Sequence, residues 1–327
     1  MEAFLAILSP VLMLFTCMVI GFALRKTNTV SNEAATTLAK LENWVFCPSL
    51  AFMSMAATFT PQSIASHSTN LAFALILVFL AMGIGISLSY LFVREKCYER
   101  SVYQYALVFA NLGYMADPLV QGLFGDAVLG SYKFFCLPFT IVIYIWGINI
   151  LTPDTEDKPF SLKRIINMPT IFLLIGVLAG LTGALEYTPD FIIKTLNSLK
   201  VCMGPVAMLI AGITIAKFDV KKLLLNKKVY VASLFRLIIL PVILVGFVIG
   251  LRAFICGILG FSVSAEPIYF AFFALAMPLG MNTVVFPEAF GGDPEPGASM
   301  ALISSAFSII TVPLLYMLLN VLVPVPF

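Results

Sequence analysis

Apolar runs of about twenty residues recur along the whole chain, separated by short polar stretches. They fall near 4–24, 35–58, 70–93, 102–124, 128–151, 165–186, 190–216, 229–256, 266–290 and 297–322. A helix needs about 20 apolar residues to cross the hydrocarbon core of a bilayer. The pattern therefore predicts an all-α membrane protein of ten spans with short connections and no room for a separate soluble domain. Composition agrees: of 327 residues, 61% are hydrophobic and 11% charged, where a soluble domain carries about 25% charged residues. Mean hydropathy is +1.02. Such a chain cannot cover a water-facing surface.

Basic residues orient the runs, because cytoplasmic loops are enriched in Lys and Arg. Arg25 and Lys26 follow the first run, and Arg94, Lys96 and Arg100 the third. Lys158, Lys163 and Arg164 follow the fifth, and Lys217, Lys221, Lys222, Lys227 and Lys228 the seventh. Odd-numbered loops are thus expected inside and both termini outside a cytoplasmic membrane, although the acidic "GGDPEPG" after the ninth run goes against the trend. The first run has Glu2 before it and its cations behind, the reverse of a signal peptide, so it reads as a retained span.

The halves resemble each other, which predicts repeats at 1–151 and 152–327. "PVLMLFTCMVIGFALRKTNTVSN" lies over "PTIFLLIGVLAGLTGALEYTPDF" at an offset of 159, matching Pro10 with Pro169 and Gly21 with Gly180. "ENWVFCPSLAFM" lies over "LKVCMGPVAMLI" at 157, and Leu112-Gly113 over Leu279-Gly280 at 167. Five spans per half is an odd number, so the second half enters the membrane from the opposite side. Inverted repeats of this kind typify secondary transporters, whose site lies at the midplane between repeats.

The fourth run holds "NLGYMADP" and the ninth "MPLGMNTVVFP", at corresponding places in the two halves. Proline removes a helix hydrogen bond and clashes one turn back, and glycine lowers helix propensity further. Broken backbone at membrane depth survives only where it is buried or lines a wet cavity. Pro118, Pro278 and Pro287 are therefore expected helix breaks, and Asn111, Gly113, Pro118, Gly280, Asn282 and Thr283 are expected to line a substrate site. Half-helices that begin at a break turn their amide ends towards the cavity, which favours an anion.

These segments resemble the auxin efflux carrier family, which includes bacterial malate and malonate permease-type members. The likeness covers the whole chain and is carried by "GFALRKTNTVSNEAATTLAKLENWVFCPSLAF", "ANLGYMADPLVQGLFG", "AMPLGMNTVVFPEAFGG" and "SIITVPLL". Asn111 and Pro118 fit the family's Asn and Gly-x-Pro-type turn, while Ala116 replaces the glycine and Asp117 intrudes beside the break. The resemblance implies a fold like that of sodium/proton antiporters and bile-acid symporters, with spans 4 and 9 crossing at their breaks. It further implies a scaffold of spans 1, 2, 6 and 7 that can form a homodimer, a moving domain of spans 3–5 and 8–10, and a small organic carboxylate as substrate.

Asp117 lies near the centre of its run. A carboxylate there costs about 2.5–3.5 kcal/mol on insertion scales and is a functional candidate by default, here for coupling to a proton or sodium ion rather than for substrate contact. Asn111 and Asn282 can donate to a carboxylate or cap a half-helix. Lys200, over Asn43 in the repeat, could neutralise a substrate, although Lys194, Asn197 and Lys200 also read as one wet helix face. Arg236 reads as a snorkelling residue near a span end, and His67 as an exposed loop residue. Ser304, Ser308 and Thr311 read as hydroxyls bonded within their own helix. "GVLAG" (176–180) and "GFVIG" (246–250) fit close helix packing.

Six scattered cysteines and one histidine argue against zinc or a disulfide framework; the net charge of +2 carries no message about nucleic acid, because the few charges lie in loops between apolar runs, and no nucleic-acid partner is expected. No HExxH, GxSxG or Walker loop is present, so neither an enzyme nor an ATP-driven pump is expected. The leading expectation is a secondary carrier of small organic anions with no cofactor beyond a coupling ion. A sodium/proton or sodium/organic-anion transporter of the same architecture ranks lower, because such antiporters need paired intramembrane acids and Asp117 alone reads as central. A transporter-derived sensor or a channel ranks lower still.

Overall fold

Lipid offers no partner to a peptide group, so a chain this apolar must satisfy its backbone internally. The computed structural model describes residues 2–153 and 166–327, and every regular element in them is a helix. Six helical runs are long and apolar enough to cross a membrane: Ile7–Lys26, Ser68–Phe92, Ala116–Leu151, Asp190–Lys217, Lys227–Gly257 and Glu295–Leu322. Lys158, Lys163 and Arg164 lie outside the described residues.

In chain order the elements are α1 Glu2–Lys26, α2 Ala34–Leu41, α3 Cys47–Thr58, α4 Pro61–Ser66, α5 Ser68–Phe92, α6 Tyr98–Val108, α7 Ala116–Val142 and α8 Ile148–Leu151. There follow α9 Met168–Thr182, α10 Asp190–Lys217, α11 Val220–Leu225, α12 Lys227–Leu234, α13 Leu240–Gly257, α14 Glu266–Leu275, α15 Asn282–Phe290 and α16 Glu295–Leu322. Widened π turns at Glu42–Phe46, Ile143–Gly147 and Phe235–Ile239 join α2 to α3, α7 to α8 and α12 to α13.

The long stretch 116–151 is not one straight rod. At Gly125 the backbone takes φ 83° and ψ −179°, so 116–124 and 126–142 are two helices meeting at a reversal. A positive φ of this size is cheap for glycine and strained for other residues. The runs expected at 102–124 and 266–290 are each built in two pieces, α6 with the start of α7 and α14 with α15, joined by irregular backbone at 109–115 and 276–281.

Helix α1 packs along α10, and α9 packs along α3. Small residues let the backbones approach. A Cβ added at Gly21 would collide with the Leu209 carbonyl, and one at Gly212 with the Met18 carbonyl. A Cβ at Gly176 would come within 2.6 Å of the Phe52 carbonyl, and one at Gly180 within 2.6 Å of the Phe59 carbonyl. The first glycine pattern of the sequence is therefore a packing face, whereas Gly246 and Gly250 of the second face open space.

One buried ion pair ties α15 to the α2–α10 layer. Glu288, 6% exposed, accepts from Lys217 Nζ at 2.6 Å, Thr214 Oγ1 at 2.8 Å and Thr36 Oγ1 at 2.9 Å. Removing one partner of a buried pair leaves an uncompensated charge and costs about 3 kcal/mol or more. Lys217→Met should therefore lower the thermal unfolding midpoint in detergent by several degrees, and adding Glu288→Gln should recover most of the loss. Equal midpoints for the two variants would count against this tie.

Candidate functional site

The two interruptions meet. Ala110 pairs antiparallel with Leu279 in an isolated bridge; Asn111 N–H donates to the Pro278 carbonyl at 2.8 Å, and Gly280 N–H to the Phe109 carbonyl at 3.1 Å. Each break thereby uses backbone groups freed by the other. Gly280 permits the approach, since a Cβ there would sit 3.0 Å from the Tyr105 ring and 3.3 Å from the Ala110 carbonyl. Thr283, fully buried, donates to the Gly280 carbonyl at 3.0 Å and so caps the break rather than facing a cavity.

The prolines sit differently from expectation. Pro118 falls in the first turn of α7, where its missing N–H is no loss, and the irregular backbone lies before it at 109–115. Pro278 lies within the second interruption and supplies the carbonyl that Asn111 uses. Helix α15 runs through Pro287, whose carbonyl instead accepts Gly291 and Gly292 N–H at 2.9 Å as the helix ends.

Helices α6 and α14 end at the crossing, and the carbonyls of their last turns need donors. Arg236 supplies them. Its guanidinium, 2% exposed, donates through Nη1 to the Leu107 carbonyl at 3.1 Å and through Nη2 to the Leu275 carbonyl. Snorkelling is thus corrected: the π turn Phe235–Ile239 directs Arg236 into the protein, where a cation suits two helix C-termini. His67 is likewise half-buried rather than free, bonded through Nε2 to Ser131 Oγ at 2.8 Å and tilted against Phe134. Ser308 does bond within its own helix, to the Ser305 carbonyl at 2.7 Å, whereas Ser304 Oγ lies 3.5 Å from the Leu279 amide.

Beside the crossing lies a cavity of about 70 Å³ lined by Tyr105, Asn111, Gly113, Lys133, Gly280 and Asn282, among others. It adjoins a second, of about 200 Å³, which shares Gly113, Tyr114 and Lys133 and adds Asp117, Pro118 and Lys200. Asn282 is fully engaged, donating to Tyr105 Oη at 2.7 Å and accepting from Tyr114 Oη at 2.9 Å. Asn111 is not. Its backbone N–H and carbonyl are bonded, yet Oδ1 and Nδ2 are buried with no partner. A buried unpaired amide is costly, which makes this one the candidate for a ligand contact at the cavity.

Asp117 and Lys133 form an ion pair, with side chains 13% and 12% exposed. Each is eight residues from Gly125, so the reversal there brings them together. Lys133 was missed in the sequence because one lysine in an apolar run carries no pattern; its symmetric spacing with Asp117 about a glycine was the available signal. Asp117 is not the sole interior acid either: Glu42 is 0% and Glu288 6% exposed. Glu288 lies close to the end of its apolar run, where an acid looks like a loop residue, whereas Glu42 lies as deep in its run as Asp117 does and has no break beside it to mark it. Asn43 is placed apart from this site. It donates to the Ala39 carbonyl at 2.9 Å and borders a separate cavity with Trp44 and Phe290. Among the described residues no group of acids, histidines and cysteines could hold a metal ion.

Two buried carbonyls depend on Arg236, and each left without a donor costs about 1–3 kcal/mol. Arg236→Met should sharply reduce recovery of monodisperse protein and lower its unfolding midpoint. Arg236→Lys should fall between, because one ammonium cannot span both carbonyls as a planar fork does. A midpoint for Arg236→Met within a degree of wild type would show that the crossing does not need it.

A family model described as "Membrane transport protein" matches residues 6–160 and 157–316. The chain is also similar to an uncharacterized transporter of Methanocaldococcus jannaschii, with 24% identity over 93% of this chain and 96% of that one. The chain belongs to the membrane transport protein family, the auxin efflux carriers, and is a multi-pass membrane transporter.

Proposed function

We propose that this transporter is a secondary carrier of small organic anions and works by alternating access. The observation that carries the reading is the unpartnered Asn111 amide in a cavity that Lys133 also lines, with Lys200 in the adjoining cavity. The amide end of α7 lies at the same crossing and adds fixed positive potential. Two lysines and one aspartate leave a net single positive charge, which favours a monocarboxylate over malate or malonate. The remaining lining is largely apolar (Leu50, Met55, Leu173 and Met203 among it) and suits an uncharged organic body.

Ten spans in two inverted five-helix repeats, 1–151 and 152–327, fit the packing. The pair α1 with α10 becomes the pair α9 with α3 when the halves are exchanged, and Gly21 and Gly180, matched in sequence, face carbonyls across the two contacts. On this reading spans 1, 2, 6 and 7 are the scaffold, able to pair in a homodimer, and spans 3–5 and 8–10 carry the site past it in the cytoplasmic membrane, with both termini outside. The Glu288 cluster joins one moving span to the scaffold and would have to open in the cycle. A proton or sodium ion provides the driving gradient.

Uptake of labelled monocarboxylates, malate and malonate into proteoliposomes tests this. Arylacetates or branched short-chain acids should enter faster than malate or malonate under an inward proton or sodium gradient. Asn111→Leu should lower kcat/KM for uptake roughly 10- to 100-fold, the worth of a hydrogen bond to a charged group. If no carboxylate moves under any imposed gradient, the reading fails.

A further inference from the structure

Glu42 opens the π turn between α2 and α3, is 0% exposed, and has no hydrogen-bond partner on either carboxylate oxygen. The other acids set into the interior are held. Asp117 has Lys133, and Glu288 has Lys217 and two threonines. Glu266 accepts from Asn70 at 2.9 Å. Among the described residues Glu42 makes no ion pair.

Its surroundings contain nothing to hold a charge. Helix α9, packed against the π turn, has no titratable residue, and α10 has none between Cys202 and Lys217. On the run itself Lys40 is exposed and Cys47 is buried, its Sγ 2.8 Å from Tyr144 Oη. Tyr114, from the first break, and Tyr144 lie within electrostatic reach. Cys47, Tyr114 and Tyr144 are neutral at physiological pH, and Lys40, the cation on this run, is exposed. The turn is also irregular: Cys47 N–H reaches back five residues to the Glu42 carbonyl, and the Asn43 side chain takes the Ala39 carbonyl. π turns within helices frequently mark functional positions. An ionised carboxylate cannot persist without donors in a low-dielectric interior, whereas the neutral acid can.

We propose that Glu42 is the proton-binding site that couples transport to the proton gradient. This rests on the carrier reading above. Glu42 belongs to the scaffold, while Tyr114, bonded to Asn282, belongs to the moving crossing. Glu42 holds a proton in the conformation described here. Displacement of the crossing removes Tyr114, admits water, and lets the proton leave to bulk solvent; reprotonation from the opposite side restores the buried state. One proton moving with one monocarboxylate makes the cycle electroneutral.

The test uses the full-length protein in liposomes and two readouts. The infrared C=O band of a protonated carboxyl group should be present in wild type and missing from Glu42→Gln, which has the shape of the neutral acid. An unchanged band overturns the assignment. In transport, Glu42→Gln should abolish accumulation driven by an inward proton gradient while keeping downhill exchange within about twofold. Retained accumulation likewise overturns it. If wild type moves no carboxylate, the carrier reading fails, and the infrared comparison still decides whether Glu42 carries the proton.

Discussion

A broken helix in lipid must find partners for the backbone groups it frees, and that demand organises the centre of this molecule. The two breaks answer it with each other, through the Asn111 to Pro278 and Gly280 to Phe109 hydrogen bonds. Arg236 answers for the carbonyls at the ends of α6 and α14. What remains at the crossing is a place where backbone is satisfied, helix ends are gathered, and one side-chain amide is left free. The cavity there is a consequence of the crossing rather than a separate design.

Charge near the crossing is sparse and almost entirely matched. Lys133 meets Asp117 because Gly125 folds the chain back on itself, and Lys217 meets Glu288 because α15 lies on the α2–α10 layer. Among the described residues the exceptions are Arg236, held by two carbonyls, Lys200 beside the larger cavity and Glu42 in the π turn. An unpartnered amide with a free cation in the adjoining cavity suits an anion; a buried acid without donors suits a proton. On the proposed reading they are a carboxylate site and a separate residue that responds when the helices shift.

The helical, multi-pass character was legible in the sequence because hydropathy at a twenty-residue period has few other readings. The irregular backbone was legible to the span but not to the residue. Pro118 and Pro287 marked the correct runs, yet a proline is tolerated in a first turn and near a helix end, so the breaks fall before them. Asn111 was visible as a polar residue in an apolar run, but nothing in the sequence said that Asn282 would be tied to two tyrosines and Asn111 to none. Lys133 and Glu42 were passed over, and Arg236 was read as snorkelling, for a common reason. A single charge in an apolar helix reads the same whether it faces lipid headgroups or the interior, and only tertiary packing distinguishes them.

The central claim is that the crossing is reached from both sides of the membrane in turn. Gly113 borders both cavities, and a side chain added there meets nothing within 4 Å. With the six native cysteines replaced, Gly113→Cys would be challenged with a membrane-impermeant thiol reagent in right-side-out and inverted vesicles. The account predicts labelling from each side, with a transported carboxylate slowing both. Labelling from one side only, whatever the substrate or gradient, would contradict it.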